Sequence, residues 1–127
     1  MNSPLATELR LRTTSRVLQV TFDDGRVFEL PFEYLRVHSP SAEVKGHGPG
    51  QEVLVTGKQG VGIRAVEPVG QYAVKLVFDD GHDTGLYTWK YLYELGRDRT
   101  INWDRYQARV AASTAAGGKS GGGSKNP

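Results

Sequence analysis

The sequence predicts an α+β protein, mostly antiparallel β-sheet, with two short helices near the C-terminus and a disordered tail rich in glycine and serine. Apolar and polar residues alternate along several short segments, as in strands that are buried on one face. The sequence Phe-Asp-Asp-Gly occurs at residues 22–25 and again at 78–81, and Asp-Gly favours a tight hairpin. Beyond these segments the apolar spacing changes to three and four, which is typical of helices.

Three strands are predicted in the first part of the chain. Residues 9–11 and 18–22 alternate in polarity, and Val27, Phe28 and Leu30 continue as the returning strand after the first Asp-Gly turn. A short turn at residues 15–16 joins the first two strands. Pro31 can then begin a single helical turn, because the first turn of a helix does not use the N–H group that proline lacks.

Residues 39–62 are predicted to form a long loop. Glycine, proline and serine are frequent there, and residues 53–55 are the one apolar segment, which could form a short strand. Loops of more than about 15 residues without secondary structure are uncommon in compact domains. We therefore expect this loop to be either mobile or functional.

Two more strands and two helices are predicted in the second part. Residues 63–69 and 72–78 are rich in apolar residues and are predicted as two strands joined near Gly70, the second of which leads into the second Asp-Gly turn. Thr88 can cap a helix over residues 89–95 that ends at Gly96. Asn102 can cap a last helix, which places Trp103, Tyr106 and Val110 on one face.

A chain of 127 residues is long enough for one domain with one core. We assign residues 7–96 to this domain, 97–114 to a C-terminal helix and 115–127 to a disordered tail, because the tail is dominated by small and polar residues.

The two Phe-Asp-Asp-Gly segments are 78 − 22 = 56 residues apart. They indicate either an internal repeat or the chance recurrence of a turn sequence that is favoured locally.

The charge and composition exclude several functions. The tail holds Lys119 and Lys125 and no acid, so the body has 16 − 2 = 14 basic residues against 14 acidic ones and lacks the basic face that nucleic acid requires. The absence of cysteine excludes disulfides and thiolate zinc sites. There is neither a leader pattern at the start nor an apolar run of membrane-spanning length. We therefore expect a soluble cytoplasmic protein that binds neither nucleic acid nor membrane.

Histidine and aspartate side chains near the second hairpin are candidate metal ligands. His82, Asp83, His38 and His47 offer nitrogen and oxygen donors for iron or zinc, and no other cofactor is expected. Their spacing is not diagnostic of an iron oxygenase. A hydrogen bond between His82 and a turn group such as Asp80 is the preferred explanation of this histidine.

Other candidate sites have weaker support. No catalytic serine–histidine–acid arrangement is recognised in the sequence, because Ser39 and Ser41 lie beside a proline and not on a nucleophile elbow. An aromatic cage for a trimethylammonium ligand would need electron-rich rings at the surface. Tyr87 and Tyr93 are the tyrosines expected to stay exposed.

Two segments carry a family resemblance. They read Leu-Arg-Val-His-Ser-Pro-Ser-Ala-Glu-Val at residues 35–44, with Gly-His-Gly at 46–48, and Phe-Asp-Asp-Gly-His-Asp-Thr-Gly-Leu-Tyr-Thr-Trp-Lys-Tyr-Leu at 78–92. Together they resemble the DUF971 family, the gamma-butyrobetaine hydroxylase-like N-terminal domain, over residues 7–96. The family includes small stand-alone bacterial proteins, which this chain resembles, the N-terminal domain of carnitine-pathway dioxygenases, and a module of plastid iron–sulfur scaffold proteins of the Mrp-type P-loop class.

The resemblance also implies a metal site, from which this chain departs. In the eukaryotic dioxygenases the domain resembles a zinc module with three cysteines and a histidine, at positions that correspond here to Ser39, Ser41, Val44 and His82. Serine and valine do not replace zinc thiolates, so structural zinc is not expected. The catalytic iron and 2-oxoglutarate sites of those enzymes belong to a separate jelly-roll domain, so dioxygenase activity is not transferred to this chain.

The preferred interpretation is a non-catalytic protein-binding module associated with iron–sulfur or metal-protein maturation, with iron–sulfur assembly factors as the partners that the resemblance implies. The alternative is a metal-binding protein related to the accessory domain of the dioxygenases. The predicted partner surface comprises Arg36, Ser39, Ser41, Glu43, His47, His82, Asp83, Thr84 and Tyr87. Replacing His82 and Asp83 together is expected to abolish partner binding with little change in thermal stability.

Overall fold

The structure is a computed structural model that describes residues 4–46 and 52–117. Within those residues it contains two three-stranded antiparallel sheets and four helices, which confirms the predicted α+β class. The elements in chain order are β1 (Ala6–Arg12), β2 (Val17–Phe22), β3 (Val27–Pro31), α1 (Phe32–Val37), α2 (Ala42–Lys45), β4 (Ile63–Val69), β5 (Ala73–Phe78), β6 (Leu86–Thr88), α3 (Trp89–Arg97) and α4 (Arg99–Gly117). The chain divides into two compact units, the first ending at Arg97 and the second beginning at Asp98.

Each sheet has its second strand in the centre. Sheet A has the order β1-β2-β3 and sheet B the order β4-β5-β6. Leu18, Val20 and Phe22 are buried in β2, as the alternation of polarity predicts, and Val74, Leu76 and Phe78 are buried in β5, where apolar residues do not alternate with polar ones. These apolar side chains form much of the core of the first unit.

The two Phe-Asp-Asp-Gly turns have the same backbone geometry. Gly25 and Gly81 have φ values of +90° and +92°. The N–H of each glycine bonds to the carbonyl of the phenylalanine three residues earlier, at 3.0 Å for Phe22 and 3.3 Å for Phe78. The second aspartate of each turn accepts the backbone N–H two residues later, at 2.9 and 3.1 Å. Glycine is needed at both turns because its φ lies in the left-handed region.

The likeness extends from the turns to whole repeats. Strands β1 and β4 each contain a register shift at the same place, between Ala6 and Glu8 in sheet A and between Ile63 and Ala65 in sheet B. A helix follows the third strand of each sheet, α1 in the first case and α3 in the second. Of the two interpretations left open by the sequence, the structure therefore supports an internal repeat of three strands and a helix. We call β1 to α1 the first repeat and β4 to α3 the second repeat.

The repeats exchange equivalent hydrogen bonds. The Tyr34 hydroxyl in α1 donates to the carbonyl of Leu95 at 2.6 Å, and the Tyr91 hydroxyl in α3 donates to the carbonyl of His38 at 2.6 Å. The donors are 91 − 34 = 57 residues apart and the acceptors are 95 − 38 = 57 residues apart. Each helix thus donates to the end of the other helix, which is the pattern of a pseudo-two-fold axis.

A second reciprocal pair joins each helix to the opposite turn. Arg36 Nε donates to Asp80 Oδ2 at 2.8 Å, and Tyr93 Oη donates to Asp24 Oδ2 at 2.7 Å. Arg36 and Tyr93 occupy equivalent helix positions, since 93 − 36 = 57, and the two aspartates occupy equivalent turn positions. The same type of contact therefore closes both sides of the first unit.

The predicted long loop differs from the structure in two ways. Residues 42–45 form the short helix α2, which begins after Ser41. The proposed strand at residues 53–55 is absent from the described residues, where the N–H of Val53 instead bonds to the carbonyl of Val44 at 2.7 Å. Strand β6 was not predicted, because its three residues are too few to show a period of two.

Both helices predicted near the C-terminus are present, but α3 continues past the predicted stop at Gly96 to Arg97. The prediction that Asn102 caps the last helix is wrong, because α4 begins at Arg99 and Asn102 lies inside it. Thr88 caps α3, since its hydroxyl accepts the N–H of Tyr91 at 3.0 Å. In the second unit α4 reaches Gly117, beyond the predicted end at residue 114, and the rings of Trp103 and Tyr106 stack at 5.0 Å. The rest of the predicted tail, residues 118–127, lies outside the described residues. Among the helices of the described residues, none has the length and apolarity needed to cross a membrane.

Candidate functional site

Five polar side chains meet where α2 approaches the loop between β5 and β6. They are Ser39, Ser41, Glu43, His82 and Thr84, which we call the polar cluster. Ser39, Ser41 and His82 are the only polar residues in the buried class within residues 4–46 and 52–117. Buried polar groups need hydrogen-bond partners, and each of these three has one inside the cluster.

Both ring nitrogens of His82 are engaged. Nδ1 lies 2.9 Å from Glu43 Oε1, and Nε2 lies 2.8 Å from Ser39 Oγ. An ionised carboxylate can only accept, so in the neutral ring Nδ1 carries the hydrogen and Nε2 accepts the hydroxyl hydrogen of Ser39. The prediction that His82 is held by hydrogen bonds is correct, but its side chain bonds to Glu43 and Ser39 and not to a turn group such as Asp80.

The surroundings of His82 favour the neutral ring. Burial lowers the pKa of His82 and the positive charge of Arg36 lowers it further, whereas the Glu43 carboxylate opposes this shift. The Glu43 side chain is 64% exposed, so water weakens its effect. His82 is therefore a hydrogen-bonding element of the interior near neutral pH.

Ser41 and Thr84 join α2 to the loop before β6. Ser41 Oγ accepts the N–H of Glu43 at 3.1 Å, which caps the short helix, and lies 2.7 Å from Thr84 Oγ1. Ser39 Oγ also accepts the N–H of Ser41 at 3.2 Å. These bonds hold two segments together that are 43 residues apart in the sequence.

Gly85 permits this close approach. A Cβ atom at this position would lie 2.4 Å from Ser39 Oγ, closer than real Cβ contacts. A larger residue would therefore displace Ser39 from His82.

An ion-pair network adjoins the polar cluster at Asp80. One carboxylate oxygen of Asp80 contacts both Arg36 Nε, at 2.8 Å, and Lys58 Nζ, at 2.7 Å. The other oxygen accepts the N–H of His82 at 3.1 Å. Burial alone would raise the pKa of Asp80, but the hydrogen bonds from Lys58, His82 and Arg36 together lower it to about 2.

The cluster contains a serine–histidine–glutamate chain that the sequence did not reveal. Ser39, His82 and Glu43 are bonded in the order of a nucleophile, a base and an orienting acid. Ser39 is only 1% exposed, however, so a substrate could not reach its hydroxyl. The arrangement fits a structural role, and no local pattern indicates it because Ser39 and His82 are 43 residues apart.

The equivalent place in the first repeat is filled by apolar packing. Glu29 pairs with Gln19 in sheet A, and Leu86 pairs with Lys75 at the same position of sheet B, so Glu29 and Leu86 are equivalent. The residues that precede them, Phe28 and Gly85, are therefore equivalent as well. A Cβ atom at Gly96 would lie 2.3 Å from the Phe28 ring, and Gly96 is the equivalent of Ser39, since 96 − 39 = 57.

The rings of Phe28, Phe22 and Tyr93 form an edge-to-face cluster with centroids 5.0 to 5.9 Å apart. One side of the pseudo-two-fold thus carries aromatic packing, whereas the other carries the polar cluster.

Comparison with known proteins places the chain in a family. The sequence pattern described as gamma-butyrobetaine hydroxylase-like, N-terminal, matches residues 9–93, which is more than half of the chain. The chain belongs to this family. The match contains most of both repeats and the whole polar cluster, and it confirms the resemblance drawn from residues 35–48 and 78–92.

Solved structures of other proteins share the fold of this DUF971 domain. Two solution NMR structures match with TM-scores of 0.78 and 0.76 at 55% and 47% identity, covering 89% and 88% of this chain and 84% and 88% of theirs. A crystal structure of a protein of unknown function from Acidithiobacillus ferrooxidans, assigned to the DUF971 family, matches with a TM-score of 0.61 at 43% identity. That match covers 72% of this chain and 92% of the other. No curated protein matches the chain.

The zinc positions implied by the family do come together, but their chemistry does not fit zinc. Ser39 and Ser41 lie beside His82, and Val44 is buried in α2. Two hydroxyls and a valine supply no thiolate, and both nitrogens of His82 already have partners. We therefore derive no role for zinc at this place.

The candidate ligands named from the sequence are dispersed. Asp83 is exposed, and His38 Nδ1 lies 3.0 Å from the carbonyl of Tyr34. His47 falls outside the described residues. The part of the chain that the structure describes contains no group of three or more histidine, aspartate or glutamate side chains able to hold a metal.

The predicted partner surface divides into buried and exposed residues. Ser39, Ser41, His82 and Tyr87 are buried and Arg36 is half-buried, so they act by positioning other groups. Tyr87 is fully buried and donates to the carbonyl of Leu35 at 2.6 Å, so its expected exposure, and its place in an aromatic cage, is wrong. Glu43, Asp83 and Thr84 are exposed. We call these three residues the rim.

Proposed function

We propose that this DUF971 domain is a non-catalytic protein-binding module and that a partner protein binds at the rim. The three rim residues lie on α2 and on the loop before β6. They are held by the buried hydrogen bonds of Ser39, Ser41 and His82.

The observation that carries this proposal is the difference between the two repeats. The first repeat fills the equivalent place with the contact of Phe28 on Gly96, which shows that aromatic packing can close the fold there. The opposite side, where the second repeat meets α2, keeps a network of buried polar groups, which contributes less to stability than a hydrophobic contact of similar size. A network that folding does not require is best explained by the surface groups that it positions.

The chemistry of the rim favours a partner with basic side chains. Glu43 and Asp83 are both carboxylates, and the nearby cations Arg36 and Lys58 are paired with Asp80. Thr84 adds a hydroxyl that is already ordered by Ser41. A lysine or arginine of the partner could therefore pair with the rim without competition from the cations at Asp80.

The biological setting of the proposal is the maturation of iron–sulfur or metal proteins. It rests on the proteins that contain related domains, so iron–sulfur assembly factors are the first partner class to test. The residues of the cluster supply no reacting group with access to a substrate, which is why the proposal is a binding function.

Replacing His82 is expected to lower stability, contrary to the expectation from the sequence, because its ring is buried and hydrogen-bonded on both sides. Removing the buried ring would leave Ser39 and Glu43 without their partner. The double variant Glu43→Gln, Asp83→Asn is the better test, because it removes both rim charges while the Gln oxygen can still accept from His82. The matched control is Glu8→Gln, Glu29→Gln, which removes two exposed carboxylates from sheet A.

We expect the rim variant to unfold at the wild-type temperature and to lose partner binding by about tenfold or more. Partners captured by the wild type are identified by mass spectrometry, purified, and titrated against all three proteins by calorimetry. The proposal requires that a partner bind the wild type and the control equally and the rim variant weakly. Equal binding to all three proteins would refute it.

A further inference from the structure

The outward face of sheet B carries several apolar side chains, whereas an outward face is normally polar. It consists of three cross-strand rows, which are Ala65 opposite Val77, then Glu67 opposite Lys75 and Leu86, and finally Val69 opposite Ala73 and Thr88. Val69 and Leu86 are 42% and 46% exposed. Tyr72, in the turn beside this face, is 65% exposed. We call the three rows the B face.

The first repeat provides an internal comparison. The equivalent rows of sheet A are Glu8 opposite Thr21 and Val27, then Arg10 opposite Gln19 and Glu29, and finally Arg12 opposite Val17 and Pro31. Val27, at the end of the first row, is 50% exposed. Four polar or charged positions of sheet A therefore have apolar equivalents in the B face: Glu8 becomes Ala65, Arg12 becomes Val69, Thr21 becomes Val77 and Glu29 becomes Leu86. The strand geometry is the same in both sheets, so the apolar residues are not a requirement of the fold. Apolar side chains grouped on one exposed face indicate a binding surface.

The charges of the B face are balanced within it. Glu67 Oε1 and Lys75 Nζ lie 3.3 Å apart in the middle row, and their side chains are 53% and 39% exposed. One anion and one cation therefore stand side by side between two apolar rows.

We propose that the B face binds the B face of a second copy of this chain. A two-fold interface must be complementary to itself, and this face meets that condition. An axis parallel to the strands, between β4 and β5, places Glu67 of each copy opposite Lys75 of the other. The same axis places Ala65 opposite Val77, so apolar side chains meet in that row, and it places the exposed Val69 over the row of Ala73, which is itself buried at 5% exposure.

Pairing through the edge of sheet B is disfavoured. Strand β4 contains Pro68, which has no N–H, and the register shift between Ile63 and Ala65. Both features interrupt a ladder of hydrogen bonds with another strand. The copies are therefore expected to meet face to face, with the sheets about 10 Å apart.

The size of the B face sets the strength of the association. About the two-fold axis, β4 of each copy lies over β5 of the other and β6 has no counterpart, so two strands about 4.8 Å apart and five residues of about 3.3 Å each give an overlap of roughly 160 Å². Stable complexes bury about 800 Å² on each partner. We therefore expect a transient dimer that is populated only at high micromolar to millimolar concentrations.

The test is a charge-exchange cycle measured by sedimentation velocity on the full chain, from about 10 µM to about 1 mM. Lys75→Glu and Glu67→Lys alone each place like charges opposite one another and are expected to weaken the dimer by about tenfold. The double variant Glu67→Lys, Lys75→Glu restores opposite charges across the two-fold and is expected to restore the dimer. A partner of a different sequence could not follow both changes, so recovery in the double variant distinguishes self-association.

A second pair of variants controls for the effect of added charge. Val77→Glu introduces a carboxylate into the B face and is expected to abolish the dimer, whereas Thr21→Glu at the equivalent position of sheet A is expected to leave it intact. Thermal unfolding of each variant shows that it is folded. A wild-type chain that stays monomeric over the whole concentration range would overturn the proposal, and so would a dimer that survives Val77→Glu. These outcomes are independent of partner binding at the rim.

Discussion

Single residues of the polar cluster owe their properties to contacts across the chain. His82 follows a hairpin turn, where the sequence indicates local hydrogen bonds, yet its side chain is bonded to Ser39 and Glu43. Its backbone N–H bonds locally to Asp80, as turn residues commonly do. The backbone of His82 was thus predictable from neighbouring residues, whereas its side chain was not.

Asp80 gives a prediction about acid stability. Its pKa is about 2 in the folded protein, below the ordinary aspartate value of 3.8, so the unfolded chain binds the proton more readily. The stabilisation is fully present above pH 3.8 and is lost as the pH falls toward 2. Asp80→Asn is expected to lower stability at neutral pH and to flatten the loss between pH 5 and pH 2, measured by urea denaturation at each pH. A variant with the wild-type pH dependence would contradict this assignment, and Glu8→Gln serves as the exposed control.

At the scale of elements, the Asp-Gly turns were predicted well because their requirements are local. Both turns have a glycine at positive φ, as the sequence pattern implies. Strand β6 and helix α2 were missed, since three or four residues are too few to show a hydrophobic period. Ser41 caps α2, but the frequent glycine, proline and serine of residues 39–62 predict a loop there.

The two turns should respond equally to substitution. Gly25→Ala and Gly81→Ala are each expected to lower the free energy of unfolding by about 1 kcal/mol, because alanine is strained at positive φ. No atom lies within 4 Å of the added Cβ at either turn, so the loss of stability comes from backbone strain and not from a steric clash. Gly60→Ala, which also meets no atom but has no positive φ, is the control and should change stability little. Urea denaturation measures all three, and a large difference between the turns would argue against equivalent repeats.

At the scale of the whole first unit, the pseudo-two-fold arrangement ties the repeats together. The Tyr34 and Tyr91 bonds cross between repeats in both directions, as do the bonds of Arg36 and Tyr93 to the opposite turns. Neither repeat can open without breaking bonds made by the other. We therefore expect the two repeats to unfold in one cooperative transition.

The two tyrosines test this coupling. Tyr34→Phe and Tyr91→Phe each remove a donor from a carbonyl of the opposite repeat and are expected to lower the free energy of unfolding by about 1 to 2 kcal/mol. Hydrogen exchange should then show lower protection in both repeats of either variant. Tyr72→Phe, at an exposed tyrosine, is the control. Lower protection confined to the repeat that carries the substitution would show that the repeats open separately.

The sequence by itself determined the strands with clear alternation, the Asp-Gly turns, the Thr88 cap and the family, because each depends on residues that are close together in the chain. It also named the five residues of the polar cluster. Only the tertiary structure decided that Ser39, Ser41 and His82 are buried, that Phe28 on Gly96 and Gly85 beside Ser39 are equivalent contacts, and that the two turns are equivalent parts of an internal repeat. These features depend on segments that are about 40 to 60 residues apart, and their distance and burial are fixed by packing around the pseudo-two-fold axis, which no local pattern records.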